Sequence, residues 1–496
     1  MSYNVGLNIV ETDGRATPSI QPAQTSVAAF LILSERGVPG EVRQVVNWSQ
    51  CKEYFGSYKA GANGAYALQG FFDNGGTMAY VTRLVNTVGG EDAIGTVAAF
   101  AVPVTGLTVK AGYKGKEDPG AWGNNLAVEI TANQEHDDDR YDLAVFLGQG
   151  KVETWEALID LEQAAAKINN PFLGSKFIMI ETPVSGPLSV AAKTPLTEGG
   201  DDNLGPDNVK SVVREAKELF NTYDVQLVCC PESSEPEVVS ELLTYCENRG
   251  DCMFAGHTPA GVDVAAAKEY GKKFRGNKVY GALYFPWIRV YDPLDPTGSK
   301  PKFIPPTGHV LGVYGRTERE RGIWKAPAGN AARINGALDV QLSITDTEHT
   351  DLVKNASVNA VRFISGQGIV IDSSRTLSTS TLWLYVNVRL LFNFVKSSLK
   401  SGLRWVVQEP NNEALWNKIK YNSVTPFLMG LWRQGAFGPG APEQVFTVKV
   451  DGENNPPDNV QQGILTVEVY FYPSRPAETI IVTVGQQEGG ATAGDN

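Results

Sequence analysis

Val225-Gln-Leu-Val-Cys-Cys230, Cys252-Met-Phe-Ala255 and Lys278-Val-Tyr-Gly-Ala-Leu-Tyr284 are three short apolar runs. Amphipathic stretches precede each of them: Asn208–Asn221, Glu235–Asn248 and Val262–Phe274. Apolar residues recur every three or four positions in those stretches, which is the period of a helix with one buried face. Runs apolar at every position suit strands covered on both sides. Strands alternating with helices in this order predict a parallel sheet joined by right-handed crossovers. The alternation defines an α/β domain over 91–355, with a β-rich insertion near its start.

Upstream, Val27-Ala-Ala-Phe-Leu-Ile-Leu33 reads as a buried strand, and Val42–Val46 and Met78–Val85 as two more. Helices are expected at Ser49–Phe55 and Gly64–Phe72, the second stopped by Asn74-Gly75-Gly76. This is an α+β unit over 27–90. Past Gly89 the pattern predicts strands at Leu107–Lys110, Leu126–Thr131 and Tyr141–Leu147, and a helix over Thr154–Ile168. Downstream, over 356–472, an amphipathic helix is expected at Leu382–Leu399. A second runs from Asn412 toward Arg433, interrupted by Pro426. Strands are expected at Val445–Val450 and Ile464–Tyr472.

Both ends share one layout. Val5, Leu7 and Ile9 alternate with polar residues, and a linker with Pro18 and Pro22 follows, giving an N-terminal segment over 1–26. At the other end Pro473 and Pro476 precede the strand Ile480–Val484 and a polar tail, over 473–496. A strand cut off from its body is a frayed end or an arm that pairs with another chain. Two such segments favour sheet extension into neighbouring subunits.

The 496 residues are 42% hydrophobic and 20% charged, and carry a net charge of −12. That is a globular composition long enough for more than one core. The negative charge argues against nonspecific nucleic-acid or anionic-membrane binding. No apolar run reaches the length of a membrane span, and no signal-peptide pattern precedes the first strand. Five scattered cysteines do not form a disulfide framework, which suits a reducing cytoplasm.

The search for catalytic chemistry is mostly negative. There is no P-loop, no G-x-S-x-G elbow and no H-E-x-x-H motif. Gly366-Gln-Gly368 lacks the third glycine of a dinucleotide loop, and Asp137-Asp138-Asp139 lacks calcium-loop spacing. The histidines and cysteines have no zinc-ligand spacing. No catalytic residue, cofactor or metal is expected. The alternative is a serine hydrolase using His257, which follows a strand end, with Ser185 and Asp224 or Asp263.

Pro305-Pro-Thr-Gly-His-Val-Leu-Gly-Val-Tyr-Gly-Arg316 and Arg321-Gly-Ile-Trp-Lys-Ala-Pro-Ala328 resemble a segment of the tail sheath proteins of contractile phage tails and contractile injection systems. Asn359-Ala-Val-Arg362, Arg375-Thr-Leu, Trp405-Val-Val-Gln-Glu-Pro-Asn411, Asn455-Pro-Pro457 and Arg475-Pro-Ala-Glu478 continue that likeness. So do Gly70-Phe-Phe-Asp-Asn-Gly-Gly76 and Pro119-Gly-Ala-Trp-Gly-Asn124. Tyr385-Val-Asn-Val-Arg389 fits in part, because Leu390 stands where the family often has a second arginine.

The resemblance implies a core domain built from both ends of the chain, with a subtilisin-like α/β domain, without catalysis, inserted between them. It implies a structural subunit, not an enzyme, assembled in the bacterial host cytoplasm and becoming part of a virion tail or injection particle. Its partners would be copies of itself in stacked hexameric rings, an inner tube, and baseplate and cap proteins. Direct nucleic-acid binding and membrane insertion are not implied. Tyr3, Val5, Leu7 and Ile9 would form one inter-subunit arm, and Ile480, Ile481, Val482 and Val484 the other. Val467, Val469 and Phe471 would lie in the sheet that accepts them. On the helix Leu382–Leu399, Arg389, Asn393, Lys396 and Lys400 fall on one stripe, either a solvated face or a contact with the inner tube. A shell protein with a single lattice is the remaining alternative.

Overall fold

The computed structural model describes residues 19–87, 95–101, 107–134, 139–205 and 208–481. Strand β1 (Ala28–Ile32) is buried at all five positions. Ala28, Phe30 and Ile32 face one hydrophobic core, while Val27, Ala29, Leu31 and Leu33 face a second. A fully buried Leu, Ile or Phe contributes about 1.5–3 kcal/mol. A strand apolar on both faces therefore belongs inside a sheet with layers on either side, and β1 is hydrogen-bonded along both edges.

Among the described residues the sheet has eight strands. In chain order they are β1, β2 (Val42–Val45), β3 (Ala79–Arg83), β4 (Leu227–Cys229), β5 (Met253–His257), β6 (Gly281–Phe285), β7 (Val358–Ile364) and β8 (Gly368–Ile371). Across the sheet the order is β8-β7-β6-β5-β4-β1-β3-β2. Neighbours from β7 to β3 are parallel, and β2 and β8 lie antiparallel at the two edges. The predicted β4–β6 alternation is present as parallel neighbours. The same sheet also takes in β1–β3 and β7–β8, so the boundaries drawn at 90/91 and 355/356 run through one hydrogen-bonded layer.

Helices α1 (Gly64–Asp73), α2 (Pro236–Arg249), α3 (Val264–Lys272), α4 (Thr307–Arg321) and α5 (Val386–Gly402) surround the sheet. The glycines of the Pro305–Arg316 segment explain how α4 packs on α1. A Cβ at Gly308 would sit 2.2 Å from the carbonyl oxygen of Ala67, and one at Gly312 would sit 2.4 Å from that of Phe71. Asn74 completes the joint, donating to Gly70 O and Asn335 O and accepting from Asn335 N at 2.7 Å.

Between β3 and β4 the chain builds two four-stranded antiparallel sheets around a separate core containing Trp122, Leu143 and Ile178. The expected helix over Thr154–Ile168 is corrected here. Gly150–Leu158 is a strand paired with Tyr141–Leu147, and the helix begins at Leu161. Asp160 divides them, capping the helix by accepting from Gln163 N at 2.7 Å.

Near the C-terminal end, Glu413–Asn417 and Thr425–Arg433 are α-helical and joined by a π-helical stretch, Lys418–Val424. Pro426 has no N–H to donate, and the wider turn precedes it. No helix among the described residues is long and apolar enough to cross a membrane.

Candidate assembly interface

Strand β9 (Phe446–Lys449) pairs antiparallel with β10 (Glu468–Phe471), a sheet of two strands among the described residues. The expected strand over Ile464–Tyr472 is thus shorter, beginning at Glu468. Asn455, from the Asn-Pro-Pro motif, closes the connection by accepting from Thr466 N at 2.6 Å. Asn454 donates to Lys449 O at 2.9 Å. Val467, Val469 and Phe471 are half-buried. Phe471 stacks on Phe392 of α5, with ring centroids 4.1 Å apart. A cavity of about 270 Å3 lies between β10 and α5, lined by Tyr280, Trp383, Phe392, Val395, Val469 and Phe471 among others. A two-stranded ribbon is marginal alone and keeps open edges.

Past β10 the chain stays on its own body for a few residues. Ser474 N donates to Ala436 O at 3.1 Å, and Asn387 of α5 donates to Ser474 O at 3.2 Å. Arg375 then holds Glu478 through two hydrogen bonds of 2.6 Å, and the Tyr385 hydroxyl adds a third at 3.2 Å. Beyond this point Ile480 and Ile481 are 80% and 86% exposed. They are not in a strand, and Val482 and Val484 lie outside the described residues.

At the other end, Tyr3, Val5, Leu7 and Ile9 also lie outside the described residues. The linker is seated from Ile20, which is buried against Gly402 at the end of α5. Ala23 N donates to Ser398 Oγ at 3.0 Å, and Ser26 donates to Glu318.

The stripe on α5 divides. Arg389 is fully buried, with its guanidinium 3.9 Å from the ring centre of Tyr280 and 4.0 Å from that of Trp383. Burial pushes its pKa down, to about 10. The expectation that Arg389 touches an inner tube is therefore corrected: its charge is used inside the subunit. Asn393 is buried as well, and Lys396 donates to Gly250 O. Lys400 is exposed, on the wall of a larger groove of about 1050 Å3 that also holds Arg404, Val407 and Val469.

The hydrolase residues are not brought together. His257 is buried, its ring packs edge-on against Trp287, and its Nδ1 has no hydrogen-bond partner among the described residues. Burial lowers its pKa to about 3. Asp263 caps α3 by accepting from Ala266 N, Asp224 accepts from Gln226, and Ser185 is an exposed residue of the insertion.

An α/β sheet usually binds ligands where its strand order reverses. Here that point lies between β1 and β4, and Glu232 fills it. Its carboxylate accepts from Leu33 N at 3.0 Å and Asn63 N at 2.9 Å, at the start of α1. The chain's own carboxyl group sits where a bound anion would go, and burial raises its pKa to about 7. Sequence inspection missed Glu232, because its backbone donors lie about 170 to 200 residues away.

Two family models match consecutive stretches that together make up more than half of the chain. They are the phage tail sheath protein central domain over 213–377 and the phage tail sheath C-terminal domain over 378–487. The chain belongs to the phage tail sheath family. It is 25% identical over 295 residues to the tail sheath protein of Salmonella phage ViI, an alignment covering 58% of this chain and 44% of that protein. The chain thus spans less than half the length of that relative.

Among solved structures, it resembles the sheath complex of the extracellular contractile injection system PVC in its contracted state. The TM-score is 0.62 at 17% identity, covering 98% of this chain and 99% of that one. The contracted helical sheath of the anti-feeding prophage matches with a TM-score of 0.59 at 19% identity, over 98% and 100% of the two chains. These likenesses describe the fold; the relatives are named as tail sheath proteins and sheath assemblies.

Proposed function

We propose that this chain is the structural subunit of a contractile tail sheath. It polymerises as stacked hexameric rings around an inner tube, and a baseplate and a cap bound the polymer. The extended lattice persists behind a kinetic barrier. On release, subunits move as near-rigid bodies into a shorter lattice that buries more surface and drives the tube through a target envelope. At roughly 25 cal/mol per Å2, small gains in burial add up over many subunits.

The observation that carries this reading is at the C-terminal root. Past Glu478, which its own subunit holds, Ile480 and Ile481 are exposed, and among the described residues the β9–β10 sheet has two strands. In this reading Ile480, Ile481, Val482 and Val484 extend a neighbour's β9–β10 sheet near Val467, Val469 and Phe471, and Tyr3, Val5, Leu7 and Ile9 do the same from the other end. Each backbone hydrogen bond contributes about 0.5–1.5 kcal/mol net, so a strand's worth per subunit can link an array. Lys400, with Lys396 beside it, is the remaining candidate for a weak, salt-sensitive contact with the tube.

The test is truncation outside the seated roots, removing residues 1–18 or 479–496. Each truncation is expected to leave a folded subunit that no longer forms long polymers by electron microscopy. Normal polymers from both truncated proteins would remove the proposal.

A further inference from the structure

Helix α5 touches both roots. Ser398 and Gly402 near its C-terminal end seat the linker at Ala23 and Ile20. At its start, Asn387 holds Ser474, and Tyr385, the residue before the first turn, reaches Glu478. Seventeen residues of helix span about 25 Å, so the two segments depart from opposite ends of one rigid rod.

The C-terminal root has the more specific chemistry. Arg375 presents Nε and Nη2 to the two oxygens of Glu478, a planar fork matched to a carboxylate. The guanidinium is itself held in place. Its Nη1 donates to Val353 O at 3.3 Å, and Arg375 N donates to Asn359 Oδ1 at 2.6 Å. The Arg375 side chain is 12% exposed and that of Glu478 is 29% exposed, so water and salt screen the pair only in part. Asn359, Arg375 and Glu478 come from three separate stretches of sequence, and no catalytic or ligand-binding role uses them.

We propose that Arg375 and Tyr385 are positioning residues that staple the C-terminal arm to its own subunit at Glu478. The staple rests on the arm-exchange reading and adds a definite pivot to it. Segment 473–478 stays with its own body, and only the chain beyond Glu478 crosses to a neighbour. From Glu478 to Val484 an extended chain reaches about 20 Å, which bounds the distance to the accepting sheet. Tension on the arm is then delivered to the pivot and α5, and strand β10 is not peeled from β9.

Glutamyl endopeptidase cleavage after Glu478, in the full-length unassembled subunit, reads the staple directly. Cleavage needs the bond to open, so its rate follows the open population. R375A is expected to be cut about tenfold faster than wild type, R375K to fall between because an ammonium lacks the fork, and Y385F to rise less. Equal rates for wild type and R375A would overturn the staple.

Polymer length is the second readout. R375E is expected to give short or broken polymers, and R375E/E478R to restore length. A folded, soluble double variant that stays as short as R375E would also overturn it. If removal of 479–496 leaves polymers intact, the arm reading fails, while the cleavage rates still decide the staple on the free subunit.

Discussion

Arg83 Nη1 donates to Asp118 Oδ1 at 3.1 Å, with the arginine side chain 2% exposed and the aspartate fully buried. Asp118 also accepts from Gly37 N at 2.7 Å and lies 3.5 Å from Arg36 Nε. Arg36 in turn lies over Trp122, 4.4 Å from the ring centre. Arg83 is at the end of β3, and Asp118 and Trp122 belong to the insertion, so this cluster joins the insertion to the sheet. It also explains why Pro119-Gly-Ala-Trp122 stands out in the sequence.

Removing Asp118 leaves two buried guanidinium groups without their nearest counter-charge. D118A is expected to cost about 3–5 kcal/mol. Chemical denaturation of the unassembled subunit checks this. A loss under about 1 kcal/mol would show that the cluster is not a joint.

The two close-packed glycines of α4 set a contrast. Alanine in place of glycine inside a helix gains up to about 1 kcal/mol in propensity. At Gly308 the added carbon meets the Ala67 backbone at 2.2 Å, and overpacking of about 1–3 kcal/mol or more wins. At Gly430, in the helix Thr425–Arg433, a Cβ meets nothing within 4 Å. G308A should lower the melting temperature of the free subunit, and G430A should hold or raise it.

The two buried histidines carry an acid-sensitive part of the subunit's stability, opposed in the same range by Glu232 and Glu318, which burial raises to about 7. Burial lowers His257 to about 3 and His309 to about 4, against about 6.5 in the unfolded chain. At these two histidines the unfolded chain therefore binds more protons than the folded one between those values. Their stabilising contribution is complete above pH 6.5 and is lost as pH falls through 6.5 toward about 4 for His309 and about 3 for His257. H257F should make the slope of unfolding free energy against pH less positive than in the wild type in that window. An unchanged slope would mean that His257 titrates normally in the folded state.

Arg389 and Lys400 should separate the inner and outer uses of α5. R389E places an anion between Tyr280 and Trp383 and is expected to destabilise the free subunit by more than about 3 kcal/mol. K400E changes an exposed residue and should alter stability by no more than about 0.5 kcal/mol. Its predicted effect is on tube-dependent assembly, measured at low and moderate salt. Unaltered assembly by K400E would dismiss the tube contact.

The strands of the main sheet were legible because their composition reports their surroundings. Val27–Leu33 and Val225–Cys230 are apolar on both faces, and only a doubly covered layer accommodates that. What stayed hidden was which strand neighbours which. Ala28 pairs with Leu227, 199 positions away, and nothing in local periodicity encodes such a pairing. Thr154–Leu158 reads as the first part of a helix, although it ends a strand, because its polar and apolar residues fit both periods over a short window. The stripe on α5 failed at Arg389 for a different reason. Spacing shows that side chains share a face, but not whether that face meets water or two aromatic rings.

The sequence by itself determined the layered α/β character, the segmented ends and the lack of a recognisable catalytic motif, since these follow from local composition and spacing. Tertiary structure alone decided that Arg375 meets Glu478, that Glu232 occupies the reversal point of the sheet, and that Arg389 is enclosed. Each of those is a contact between residues far apart in the chain, and its free energy exists only once the intervening segments have folded and excluded water around it.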